Sequence, residues 1–167
     1  MRLLIICLLA GCATPLVDDA TDISVTDYSA SDFAVCAACH LNDGKGVPGT
    51  FPPLRSRSTE MAALEGGREY LITVVSFGLM GTIQAEGQSY FGVMPGHAGS
   101  MQAGAVAAAL NYLVFELNDD AKVGDTVKSF SAREVNAVQA NTAGGNPMTA
   151  GQLRNTLLTR HGEKWPH

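Results

Sequence analysis

Five consecutive residues carry the most specific chemistry of this chain: Cys36-Ala37-Ala38-Cys39-His40. Two cysteines three positions apart stand on one helical turn, where each thiol can bond a vinyl group of haem, and the adjacent histidine is then held where its imidazole meets the iron. A thioredoxin-like pair, a structural disulfide or half a zinc site would each explain the cysteines and leave the histidine to chance. Zinc would need further Cys or His ligands. None stands between His40 and His97, and the next cysteine is Cys12. The spacing therefore points to one covalently attached haem, with Cys36 and Cys39 as thioether positions and His40 as the proximal iron ligand.

A histidine-held iron commonly takes a thioether sulfur on its other side, a pairing that raises the reduction potential for electron transfer. Met61 and Met80 lie on or beside expected helices, Met101 begins one and Met148 sits in the tail, all places where methionine fills a core. Met94 is expected in a loop, followed by Pro95 and flanked by Gly92 and Gly96, which give the backbone freedom to bring sulfur to the iron. It is the candidate distal ligand, with His97 as the rival. An open or weakly held sixth position would instead make a haem enzyme or a ligand-binding sensor. A structural lipoprotein with a fortuitous pentapeptide is the remaining alternative.

The elements that must position these residues read as helices. Ser29 to Asp32 offers capping residues, so the motif falls on the last turns of a helix that ends near His40. Asn42, Asp43, Gly44, Gly46, Pro48 and Gly49 then make a loop that folds round the porphyrin edge. Short and longer helices are expected over Thr59 to Glu65 and Gly67 to Phe77, the latter facing a core with Leu71, Ile72, Val74 and Val75. Gly78 is a stop signal. Glu86-Gly87 places a small hairpin or tight loop within Ile83 to Phe91. Ser100 is the expected cap of a helix running to Leu117, with Val106, Leu110, Leu113, Val114 and Leu117 as its apolar stripe. Neither a long alternating strand pattern nor a repeat is evident, so the fold class is all-α.

The remaining cysteines need no pairing. Met1-Arg2 and the apolar stretch Leu3 to Ala10, which holds Cys7, suit an export signal and are too short to span a membrane. Leu9-Ala10-Gly11-Cys12 resembles the bacterial lipobox, making residues 1–11 a lipoprotein-type signal peptide and Cys12 a lipidation site. Several acyl chains would hold the protein durably at a membrane, on the periplasmic side where such haem attachment belongs. Residues 12–28, with Pro15, Asp18, Asp19 and Asp22, suit a tether. Removing the leader takes 167 residues to 156 and the formal charge from −5 to −6, which disfavours nucleic-acid binding.

Taken with Phe51-Pro52-Pro53-Leu54, Tyr90-Phe91-Gly92-Val93-Met94-Pro95 and Tyr112-Leu113, the haem motif resembles a class I monohaem cytochrome c over roughly residues 32–117. Its middle is most similar to cytochrome subunits of periplasmic dehydrogenases and cytochrome domains associated with nitrite reductases. The resemblance implies a helical domain over 29–118 around a covalent haem c, His/Met ligation by His40 and Met94, a bond from the His40 ring to the Pro52 carbonyl, and Tyr90 in the haem pocket. It implies an electron carrier with redox-protein partners, working alone or as an oxidoreductase subunit, and no catalytic residues. Asp32 departs from the pattern, standing where the family often places an aromatic. Residues 119–167 form a helical extension, in which Ser131 with Glu134 and Thr149 with Gln152 resemble capping boxes opening helices over Ser131 to Ala140 and Thr149 to His161.

Overall fold

The computed structural model describes residues 28–118 and 127–167, so the leader, Cys12 and nearly all of the tether lie outside the described residues. Helix α1 spans Ala30–His40 and starts from Ser29 in an extended conformation. The Ser29 amide donates to the Asp32 carboxylate at 2.8 Å, so the residue that replaces the expected aromatic closes the helix start. The aromatic work falls to Phe33. It is 2% exposed, packs on Leu113 and Leu117, and tilts against Tyr112 with ring centroids 5.8 Å apart. Burying that ring contributes about 2–3 kcal/mol and locks the first helix onto the last helix of the haem domain.

Helices α2 (Arg57–Ala63) and α3 (Gly67–Phe77) follow, joined through Gly66 in the left-handed region. Gly67 packs against the Met61 carbonyl, where any side chain would overlap it. Along α3, Leu71, Ile72 and Val75 are buried as the apolar spacing predicts, and Val74 is half-buried. Gly78, at φ 84°, ends the helix.

The small hairpin that Glu86-Gly87 allowed is present, and it is longer than expected. Strands β1 (Leu79–Ala85) and β2 (Gln88–Met94) form a two-stranded antiparallel hairpin, so the helical fold carries a small sheet. Met94 is accordingly the last residue of β2, paired with Leu79, and does not lie in a loop. Glu86 and Gly87 both have positive φ, the conformation a two-residue hairpin turn requires. The strands escaped the period-2 test because only one face is buried, and only near the turn. Ile83, Ala85 and Tyr90 are buried there, while the opposite face exposes apolar Met80, Phe91 and Val93 and so breaks the alternation.

Helix α4 is Ala103–Asn111, and its cap is Gln102. Ser100, the expected cap, turns its hydroxyl back to the His97 carbonyl. The helix then widens into a π-helical turn over Tyr112–Glu116. Thr59 Oγ1 donates to the Val114 carbonyl at 3.1 Å, satisfying a backbone group within that turn. The stripe Val106, Leu110, Leu113, Val114 and Leu117 is buried throughout.

The extension supplies α5 (Ala132–Asn141), α6 (Pro147–His161) and a short 3-10 turn over Gly162–Lys164. Ser131 accepts from the Glu134 amide at 3.2 Å, the capping contact that sequence spacing anticipates. The second cap differs: Asn146 starts α6 with Pro147 in its first turn, and Thr149 is its partner three residues on. Val127, Phe130, Val135, Leu157 and Trp165 share one core with Ile72, Val106 and Leu110, so the extension completes that core. Two polar contacts bind it there. Fully buried Asn111 takes the Phe130 amide at 2.7 Å and donates to the Phe130 carbonyl at 3.0 Å. Arg68 pairs with Glu134, donates to the Lys128 and Ser129 carbonyls, and covers the Phe130 ring.

Candidate haem site

Helix α1 ends where its chemistry begins. Cys36 is half-buried and Cys39 is exposed, one helical turn apart and not joined to one another. Before haem is attached, burial pushes the Cys36 thiol up to about 11, and the Cys39 thiol beside it adds a smaller part of the shift. His40 is 6% exposed and faces inward.

The loop after His40 folds back over it. The Gly46 amide donates to the His40 carbonyl at 2.9 Å, Val47 and Phe51 bridge one another, and Gly44 accepts from the Leu54 and Arg55 amides. This winding brings the Pro52 carbonyl oxygen to 2.9 Å from His40 Nδ1. A carbonyl can only accept, so Nδ1 carries the proton and Nε2 keeps its lone pair for a metal. Burial lowers the His40 pKa and the Pro52 bond opposes that shift. Gly46 makes the approach possible: at φ 66° a Cβ there would overlap the Phe51 carbonyl oxygen and stand 2.6 Å from that of Pro52. Phe51 meets the imidazole edge-on at 6.3 Å.

The hairpin carries Met94. Register places Leu79 with Met94, Gly81 with Gly92 and Ile83 with Tyr90 on one face. Tyr90 is 5% exposed beside Ile83 and Ala85, two residues past Gly92 from half-buried Met94. Between those levels, Cβ atoms built on Gly81 and Gly92 would meet nothing within 4 Å. That bare stretch on the Met94 face leaves room for a flat ring. Met94 is held from behind by the end of α3. A side chain on Gly78 would overlap the Met94 carbonyl, one on Gly96 would stand 2.7 Å from the Ser76 carbonyl, and the His97 and Ala98 amides bond to Val75 and Ser76. Sequence reasoning took Gly78 as a helix stop and Gly96 as a source of freedom; both are close-contact positions that fix the strand end.

Two thiols on one turn and an imidazole with Nε2 free fit a porphyrin held covalently by α1 and met by His40, while Met94 stands at the end of β2. Among the described residues no cluster of His, Cys, Asp and Glu gathers as a protein-only metal site, and no helix is long and apolar enough to cross a membrane. Fold and site together define the class of small helical proteins built around one c-type haem. No family model matches the chain. It is 44% identical over 108 residues to cytochrome c-552 of Thermus thermophilus, across 65% of this chain and 81% of the relative. A second cytochrome c-552, from a named strain of the same species, matches at 44% identity over 72% of its length. The chain belongs to the cytochrome c family: it is a class I monohaem cytochrome c that carries covalent haem c and transfers electrons, and it is not an enzyme.

The sequence reading missed one buried polar cluster. Arg57, Arg154 and Trp165 are buried round Tyr70, far apart in sequence and with no motif to mark them.

Proposed function

We propose that this cytochrome is a lipid-anchored carrier on the periplasmic side of a bacterial membrane, shuttling single electrons between redox proteins. In this reading Cys36 and Cys39 form the thioethers, His40 is the proximal ligand and Met94 the distal one. The haem supplies the one-electron couple. The chain's residues position it, exclude water and set its potential. The Pro52 carbonyl orients the His40 ring and makes it a better donor. Gly78 and Gly96 let the strand end lie close against α3, presenting the Met94 sulfur from a rigid mount. Tyr90 lines the pocket beyond the bare glycines.

The observation that carries the reading is the His40–Pro52 bond at 2.9 Å, which leaves Nε2 available for the iron. Visible spectra test it. The oxidised protein should show a methionine-to-iron band and bind cyanide slowly, and the reduced protein should resist carbon monoxide. Rapid ligand uptake without that band would move the protein to the open-iron class of haem enzymes and sensors.

The anchor and the location rest on the lipobox-like Leu9-Ala10-Gly11-Cys12 and the tether after it. Expression of the full chain with Cys12→Ser should release the coloured protein from the membrane to the soluble periplasmic fraction. Equal membrane retention of variant and parent would remove the lipid anchor from the account. An oxidoreductase subunit, if one is the partner, should co-purify from detergent extracts of those membranes.

A further inference from the structure

The hairpin has two unlike faces. Opposite the side that bears Met94 and Tyr90, the pairs Met80 with Val93, Thr82 with Phe91 and Gln84 with Ser89 share one surface. Phe91 is 80% exposed, Val93 65% and Met80 46%. Toward the turn the face is polar and satisfies itself, with Gln84 Nε2 donating to Ser89 Oγ at 2.6 Å. Met148 extends the apolar end. It is exposed one helical turn before Gly151 on α6, where a Cβ would stand 3.7 Å from the Met80 carbonyl oxygen. The other exposed large apolar side chains, Val35, Leu41 and Val47, lie on α1 and the loop after it, beside the haem attachment. The hairpin patch belongs neither to that region nor to a core.

Charge narrows what can cover it. Neither strand holds an Asp, Glu, Lys or Arg, and between Glu69 and Glu116 only Glu86, at the turn, is one of these. The chain as a whole is acidic, with a formal charge of −5. An anionic lipid surface repels such a protein over most of its outside, and a charge-free apolar face is where the two can come close. The chain also brings that surface near. Cys12 precedes Tyr28 by 16 residues, a length that reaches at most about 55 Å, whereas a domain of this size is about 35–40 Å across. Tyr28 stacks on Phe115, so the tether ends on the folded domain. From an anchor at Cys12 every face can reach the bilayer, and a patch too weak to hold a free protein there acts at high local concentration.

We propose that the Met80, Phe91 and Val93 face of the hairpin, with Met148, seats on the lipid surface that holds Cys12, a docking that rests on the lipid-anchor reading. Phe91 and Val93 enter the headgroup boundary, while Glu86 at the far end of the hairpin stays in water. The bilayer then fixes the orientation of the domain, with the Met94 face of the hairpin turned away from lipid.

Methyl NMR of the mature holoprotein tests the docking. Exported behind an ordinary signal peptide, the chain from Cys12 onward keeps one free thiol, because haem occupies Cys36 and Cys39 and Cys7 leaves with the leader. Cys12 is then coupled to a maleimide lipid in nanodiscs of phosphatidylethanolamine and phosphatidylglycerol. The docking is thereby read whether or not the cell acylates Cys12, which membrane fractionation of Cys12→Ser decides separately. With carbon-13 in the methionine methyls, the Met94 signal of the reduced protein reports an unchanged haem pocket in every sample. Gadolinium-chelating lipid in the disc should broaden Met80 and Met148 selectively, and Phe91→Gln combined with Val93→Thr should lose most of that broadening. Broadening no greater than that of Met101, after a soluble gadolinium chelate has normalised exposure, would overturn the proposal, as would broadening unchanged in the double variant. So would a lipid-free dimer in sedimentation equilibrium that the double variant abolishes, because the face would then belong to a second copy of the chain.

Discussion

His40 Nδ1 and the Pro52 carbonyl oxygen lie 2.9 Å apart, and the residue that permits this is Gly46. Gly46 has φ 66° and its amide bonds to the His40 carbonyl, so one residue closes the helix end and makes space for the acceptor. Gly46→Ala would force a side chain against the Phe51 and Pro52 carbonyls. The expected loss is about 2–4 kcal/mol of stability, from left-handed strain plus displacement of the loop. Denaturant unfolding measures it, and the ring-proton resonance of His40 should move in the same variant. A variant with unaltered stability and resonance would show that the loop tolerates the side chain.

Met94 closes β2 with its carbonyl against Gly78. Met94→Ala should abolish the methionine-to-iron band, admit carbon monoxide to the reduced protein, and lower the midpoint by about 0.1–0.3 V, a fraction of the span that axial ligands command. Gly96→Ala should give a weaker version of the same changes, because its side chain would press the strand end away from the Ser76 carbonyl. Potentiometric titration with optical detection separates the two. If His97 were the ligand, His97→Ala would reproduce the Met94→Ala spectrum.

Asn111 holds both backbone groups of Phe130 from a fully buried position. Asn111→Leu should cost about 2–4 kcal/mol, since it leaves a buried N–H and a buried carbonyl unpaired. Hydrogen exchange should show α5 losing protection ahead of α1, because the bond ties the extension to α4. Equal loss of protection in both would mean that the two parts open as one unit.

Burial raises the Tyr70 pKa above its ordinary 10.0, with Arg154 and Arg57 opposing the shift. The folded protein therefore keeps a neutral phenol that the unfolded chain would ionise more readily. The stability associated with it is fully present below the ordinary value and is lost as pH climbs through the higher folded one. Unfolding free energies across roughly pH 9 to 12 should fall more steeply for the parent than for Tyr70→Phe. Parallel profiles would relieve Tyr70 of that role.

Local chemistry was legible in the chain itself. Two cysteines and a histidine at fixed spacing announce the cofactor because covalent attachment needs those groups on one turn, and helical spacing marked Leu71, Ile72, Val106 and Leu110 for the core. Capping chemistry is equally local. Ser131 caps α5, whereas α6 takes Asn146 because Pro147 is already suited to a first helical turn. What depends on distant segments could not be read from neighbours. Glu86-Gly87 marked a small hairpin or tight loop, but the full length of its strands went unread because the exposed face bears Phe91 and Val93, which erases the alternation that a half-buried strand should show. The roles of Gly46, Gly78 and Gly96 as close-contact positions belong to contacts between chain segments. The meeting of Arg57 with Arg154 and Trp165 likewise exists only once α6 and the C-terminus close over the hairpin. Sequence determined which groups the protein brings to iron and which faces are apolar, since both follow from residue type and period. Tertiary structure alone decided which carbonyl meets His40, what holds Met94 in place and where two buried cations meet, since each is a contact between residues that the chain keeps apart.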